Sequence, residues 1–316
     1  MGQNRHDVPA LRRASRRSHW RRSAGGILAF LIASASAGNV SAATTDLEAL
    51  YVAPDIHLVV GGVEIRDHQV LADDLAGGLM QLTLGGLPEA AAIDALHRLD
   101  DGRFLFSLEG WADLGGLPVG PADIVSWDGT SYGIAFDAAA AGLPAGLDVD
   151  ALSFDADDIF LSFQTHADLP GGPYADDDLV RWDGASFSLA FDGAAAGVPR
   201  SLDLDAAHRL ENGNWLLSFD SDGTVGGVGL ADEDVVEHDP VAGSWELLYD
   251  GSTFFPAWEA TDLVALTAGE PPNVLEIPVL SPIGLTVLAM ILALSASAIV
   301  RRRMPWSAET DFLEKP

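Results

Sequence analysis

Residues 93–110 read IDALHRLDDGRFLFSLEG and residues 122–146 read ADIVSWDGTSYGIAFDAAAAGLPAG, and this pattern recurs twice downstream. The second copy runs VDALSFDADDIFLSFQT over 149–165 and DDDLVRWDGASFSLAFDGAAAGVPRS over 176–201. The third runs LDAAHRLENGNWLLSFDS over 204–221 and DEDVVEHDPVAGSWELLYDG over 232–251. A self-similar period of about 55 residues marks a propeller, a solenoid or an array, because one such unit cannot bury its apolar faces alone.

Within the first copy, four short apolar segments stand at Asp94 to Leu99, Arg103 to Leu108, Asp123 to Trp127 and Tyr132 to Phe136. Asp101-Gly102 joins the first two and Asp128-Gly129 joins the last two; Asp183-Gly184 and Asn212-Gly213 repeat the device in the other copies. Asp-Gly or Asn-Gly between apolar runs predicts a hairpin, since the turn needs a positive φ that glycine adopts without strain. Four antiparallel strands per unit and no helical period predict propeller blades. Small-residue linkers, Ala138 to Gly146 and Gly193 to Pro199, carry the chain from one blade to the next.

The leftovers set the blade number. Ile56 to Val60, Glu64 to Ala72 and Leu79 to Leu84 read as the second, third and fourth strands of another unit, whereas Thr261 to Leu266 matches a first strand. A first strand at one end and the other three at the far end is how a propeller closes, which protects its edges. The expected fold is therefore an all-β repeat protein, a four-bladed β-propeller over residues 44–270, with one C-terminal transmembrane helix; a wedge-shaped stack or a two-sheet sandwich stays open.

Composition narrows the function. Between Thr44 and Glu276 stand 43 acidic residues and six basic ones, all Arg, a net charge of −37. Such a surface repels nucleic acid and anionic lipid and favours cations or basic partners. The chain has no Cys, so disulfides, thiolate zinc sites, iron–sulfur clusters and cysteine nucleophiles are excluded together.

The flanks carry addresses. In residues 1–43 seven arginines precede a short apolar run, Gly25 to Ala35, and small residues follow at Val40-Ser41-Ala42-Ala43, the pattern of a secretory signal peptide. Residues 271–282 read as a linker with a sorting motif, 283–300 as an uncharged eighteen-residue span, and 301–316 as a basic cytoplasmic tail. The order Ile277-Pro278-Val279-Leu280, then Gly284 opening the apolar span, then Arg301-Arg302-Arg303, resembles the IPTL-CTERM class of bacterial sorting signals. That resemblance implies, as partners, the secretion machinery and a membrane-embedded processing enzyme of the exosortase type, and delivery to the cell surface. A plain C-terminal anchor with positive-inside flanks is the other reading of the same residues.

Candidate chemistry is sparse. A longer loop between the second and third strands carries a Gly pair and acids, Gly171-Gly172 to Asp176-Asp177-Asp178 and Gly226-Gly227 to Asp232-Glu233-Asp234. Clustered carboxylates beside glycine suit calcium, which takes six to eight oxygens in loose geometry. Asp176, Asp177, Asp178, Asp232 and Asp234 are accordingly the candidate metal ligands, with a solvated acidic loop as the alternative. Gly129-Thr130-Ser131-Tyr132-Gly133 matches the G-x-S-x-G hydrolase motif, but spans a hairpin turn where that chemistry needs a strand-to-helix elbow. Asp94, Asp150, Asp205 and Asp262 open the four units and are expected to ring a central channel, where they could bind a cation or pair with backbone N–H groups. Ser107, Ser162 and Ser218 repeat and are expected to be architectural. The histidines show no metal spacing. The expected function is an exported, surface-sorted, non-enzymatic interaction scaffold. The alternatives are a secreted carbohydrate-active hydrolase, which would need an off-pattern carboxylate pair at one channel end, and a calcium-dependent adhesin.

Overall fold

The computed structural model describes residues 47–272. They form four antiparallel four-stranded sheets arranged as a four-bladed β-propeller, with small two-stranded hairpins added. Blade two comprises Ile93–Arg98, Phe104–Leu108, Ile124–Trp127 and Tyr132–Phe136 from axis to rim. Blades three and four repeat it with Ala151–Asp155 and Ala206–Arg209 as inner strands and Phe187–Phe191 and Ser244–Tyr249 outermost. Blade one is composite: the inner strand Leu263–Gly269 comes from the far end of the domain and pairs antiparallel with Ala49–Pro54, from Ala49 opposite Gly269 to Val52 opposite Leu266.

Closure is thus as expected, but the second strand of that blade is not Ile56 to Val60. It is Ala49–Pro54, buried along its whole length between the inner strand and Gln69–Asp73. Leu58–Val60 and Val63–Ile65 instead pair with each other as a small hairpin. Burial decides between the two runs: Ile56 and Val59 are 46% and 54% exposed, whereas Tyr51 and Ala53 are fully enclosed. The expected third strand, Glu64 to Ala72, correspondingly divides between that hairpin and Gln69–Asp73.

Each other blade carries the same hairpin between its second and third strands, at Ala112–Asp113 with Pro118–Val119, Ala167–Leu169 with Gly172–Tyr174, and Gly223–Val225 with Val228–Leu230. The Gly pair read as part of a flexible loop is the hairpin's turn. Gly226 and Gly227 take φ of 55° and 91°, the double left-handed step of a type I′ connection.

The core lies between blades. One cluster joins Tyr51 and Val70 of blade one to Phe104 and Phe106 of blade two, and a second joins Leu105 and Ile124 to Leu152 and Val180 of blade three. A third packs Phe160 and Leu179 of blade three on Trp215 and Leu217 of blade four, and the last returns from Leu216 and Val235 to Leu50 and Leu71. Sheets buried on both faces lose the in–out alternation of a one-sided sheet, which is why Phe104–Leu108 is buried at every position. Phe160 meets Trp215 edge-on across the blade gap at 5.2 Å between centroids.

Aspartates hold the turns. Asp128 Oδ1 accepts from the backbone N–H groups of Thr130 and Ser131, both at 2.8 Å, and Asp183 does the same for Ala185 and Ser186. Ser131, the would-be nucleophile of G-x-S-x-G, donates its hydroxyl back to Asp128 in this exposed turn. The inter-blade linkers open with one-turn helices capped by Asp137, Asp192 and Asp250, whose carboxylates accept from Ala140, Ala195 and Thr253 N–H. Among the described residues no helix is long and apolar enough to cross a membrane. The signal-peptide, sorting-motif, transmembrane and tail expectations, 1–43 and 277–316, lie outside the described residues.

Candidate functional site

Three aspartates at one repeat position act as staples. Asp123 accepts from Gly120 and Ala138 N–H, Asp178 from Ala175 and Gly193, and Asp234 from Ala231 and Gly251, at 2.9–3.1 Å. Each ties the turn before the third strand to the start of the helix after the fourth. Asp178 and Asp234, two of the candidate calcium ligands, therefore engage both carboxylate oxygens with backbone donors. The others do not join them around a point. Asp176 presents its carbonyl to Ser162 Oγ at 3.0 Å; Asp177 is buried with Oδ2 unpartnered; Asp232 shares a hydrogen bond with Glu233, and burial, reinforced by that contact, pushes it up to about 6. Among the described residues no three acidic or imidazole groups are grouped so as to hold a metal ion as they stand.

The repeated serines are architectural. Ser107, Ser162 and Ser218 are fully buried and donate to the carbonyls of Val149, Asp176 and Asp234.

Asp94, Asp150, Asp205 and Asp262 stand at the start of the four inner strands, and so ring one end of the channel. Three of them are paired. Asp94 shares a hydrogen bond with Asp148, and Asp205 shares one with Asp262. Two carboxyls in contact must share a proton, because both cannot ionise at that distance. Burial and then the Asp148 charge raise Asp94 to about 8; burial and then the Asp262 charge raise Asp205 to about 10. Their acceptors, Asp148 and Asp262, are raised less, to about 6 and about 7, because burial is offset by the proton they receive. Asp203 is pushed up to about 7 by burial and then by the Asp176 charge. Asp150 is pushed well above the usual carboxylate range by burial and then by Asp203, Asp94 and Asp205.

Asp148 is an off-pattern carboxylate: it and Asp203 stand two residues before the repeated Asp, where Ala92 and Ala260 stand in the other blades. The visible trace of these extra carboxylates in the sequence is the D-x-D spacing at 148–150 and 203–205, a signal absent from the sequence expectations above. Hydrogen-bonded contact is closer than the separation of about 5 Å or more that glycoside hydrolysis uses between its two carboxyls.

Deeper in the channel a second polar layer lines the inner strands: His97, Ser153, His208 and Thr267. Phe154 N–H donates to His97 Nδ1 at 3.3 Å, Arg209 N–H to Ser153 Oγ at 2.9 Å, and Arg98 N–H to Thr267 Oγ1 at 3.1 Å, each from the strand of the next blade. Thr267 Oγ1 lies 3.1 Å from His208 Nδ1. His97 and His208, from opposite blades, stack with centroids 5.2 Å apart and planes 21° from parallel, across the axis. Burial holds both below the usual imidazole range, His97 well below it and His208 at about 4. Both are thus neutral at pH 7, with Nδ1 of His97 free to accept. No linear motif links these residues; the only trace is that each His follows its unit's Asp by three positions.

The far ends of the inner strands are basic and aromatic. Arg98 lies over the Tyr51 ring at 5.3 Å, and Arg209 over Trp215 at 5.0 Å with its Nε 3.3 Å from Asp155. The channel is therefore polarised, with carboxyls where the strands begin and guanidinium groups where they end.

No protein-family model matches the chain, and no curated protein matches it. Solved structures overlap it weakly. A catalytically inactive virginiamycin B lyase from Staphylococcus aureus with quinupristin aligns at 9% identity and a TM-score of 0.30, over 73% of this chain and 87% of that one. The extracellular domain of a one-component system from B. thetaiotaomicron aligns at 11% identity and a TM-score of 0.26, over 58% of this chain; this chain spans 20% of its length. The GH74 xyloglucanase of Xanthomonas campestris aligns at 17% identity and a TM-score of 0.26, over 63% of this chain and 29% of that one. The fold assignment rests on the four sheets themselves.

Proposed function

We propose that this chain is an exported, surface-sorted repeat protein whose propeller serves as a non-enzymatic scaffold, held by its C-terminal segment with the acidic channel mouth turned away from the membrane. The observation that carries the reading is the pairing of Ala49 with Gly269. It brings the two chain crossings of the domain side by side, at the end of the inner strand opposite Asp262. At roughly 3.3 Å per residue, the seven residues of that strand separate the tether from the carboxyls by about 20 Å. A body fixed at Gly269 displays Asp94, Asp150, Asp205 and Asp262 outward. The repeated Asp side chains at turns, staples and helix caps work as backbone acceptors, which favours a structural use of the repeat.

Fractionation of the native host tests it, with the full chain and with a chain lacking 283–303, followed by sizing of the mature form. The reading predicts a membrane- or surface-associated product whose retention requires 283–303. Recovery of both forms from the cytoplasm at full length would overturn it.

A further inference from the structure

Of the four ring carboxyls only Asp150 has both oxygens buried and unpartnered, while Asp262 has one such oxygen, Oδ1. Asp150 is 5% exposed, and neither of its oxygens has a hydrogen-bond partner. Asp94 and Asp205 face it but are hydrogen-bonded within their own pairs, and Asp203 faces it as a further acid. A buried carboxyl without donor or counter-ion is costly, and native structures rarely leave one so. A proton alone removes the charge but leaves the second oxygen without a donor.

Among the described residues the charges that act on Asp150 are all acids, Asp203, Asp94 and Asp205. Arg66 pairs with Glu64, Arg103 with Asp101, Arg181 with Asp158 and Arg209 with Asp155, Arg200 is exposed, and Arg98 lies over Tyr51 at the opposite end of the channel. What fits a dry, inward-facing carboxylate surrounded by other acids is a small hard cation, which takes both oxygens at once and screens the neighbours.

We infer that the channel mouth binds one divalent cation of the calcium type, with Asp150 as its anchoring ligand and Asp94, Asp203 and Asp205 as the surrounding charge. Because no three of these groups are grouped as a ready-made set, water completes the coordination, as calcium permits. The site is distinct from the loops carrying Asp176 to Asp178 and Asp232 to Asp234, and does not depend on the scaffold reading.

The test uses purified full-length protein stripped with a chelator, titrated calorimetrically with calcium chloride near pH 7. The expected result is one saturable site, and a Tm that rises at about 1 mM calcium but not in potassium chloride of equal ionic strength. Asp150→Asn should abolish the site, and Asp205→Asn, which leaves Asp150 in place, should weaken it by at least about tenfold. The double variant Asp176→Asn/Asp232→Asn should retain the saturable site, with at most a weaker affinity because Asp176 acts on Asp203 and Asp232 on Asp262. Absence of saturable binding up to about 10 mM, a Tm rise matched by potassium chloride, or binding that survives Asp150→Asn but is lost in the Asp176/Asp232 variant would each overturn the inference. If Asp150→Asn fails to fold, the Asp205→Asn affinity decides it.

Discussion

Replacing Asp205 with Asn should change how the stability of this propeller depends on pH, and the size of the change follows from the shared proton. Burial and the Asp262 charge hold Asp205 at about 10 in the folded protein, against an ordinary value of 3.8. Between those values the folded state binds one proton more than the unfolded state, so stability falls as pH rises, by about 1.4 kcal/mol per pH unit for this group. The histidines act with the opposite sign: His208 is lowered to about 4 from 6.5, so its penalty grows only as pH falls below about 6.5. Between about pH 6.5 and 8.5 the unfolded histidines are neutral and the carboxyl effect stands alone. Asn at 205 keeps a donor toward Asp262 but takes up no proton. Over those two units the variant should therefore gain about 2.7 kcal/mol on the parent, an upper bound because Asp205 retains partial solvent contact. Urea denaturation in chelator-containing buffer at closely spaced pH values measures it. Parallel pH profiles for parent and variant would refute the shared proton.

Three further outcomes are expected. The turn at Ala156-Asp157 takes φ of 49° and 78° without a glycine, so Ala156→Asn and Asp157→Gly should each raise stability by roughly 0.5–1 kcal/mol in chemical denaturation. A Cβ at Gly193 would run into the Asp177 carbonyl and carboxylate, whereas blade two carries Ala138 at that position opposite the smaller Ala122; Gly193→Ala should cost about 1–3 kcal/mol, and a neutral effect would contradict the close approach. Between about pH 6.5 and 4 the burial of His97 and His208 opposes the gain that the raised carboxyls give on acidification, so His208→Gln should gain stability relative to the parent as pH falls through that range, followed by thermal melts at fixed ionic strength.

The repeat, its turns and the closure of the ring were legible in the sequence because each is written locally. Asp128-Gly129 states its own turn, and the first strand stranded at Thr261 to Leu266 states that the ring must close on the three strands read between Ile56 and Leu84. The identity of the second strand in the composite blade was not legible. Ala49–Pro54 and Ile56 to Val60 are both short apolar runs, and only burial between two neighbouring strands tells them apart. The Gly pairs were visible, but an extra hairpin and a flexible loop look alike until the cross-strand partners are known.

By itself the sequence determined an acidic, cysteine-free, four-fold repeat with an aspartate at the head of each unit, since composition, period and turn chemistry all act within a few residues. Only the tertiary structure decided what those aspartates become. Residues about 55 positions apart meet at the channel axis, where burial and mutual repulsion, not residue type, determine which carboxyl keeps a proton. The same convergence stacks His97 on His208 and leaves Asp150 without a partner, and neither relation has a counterpart in the linear pattern.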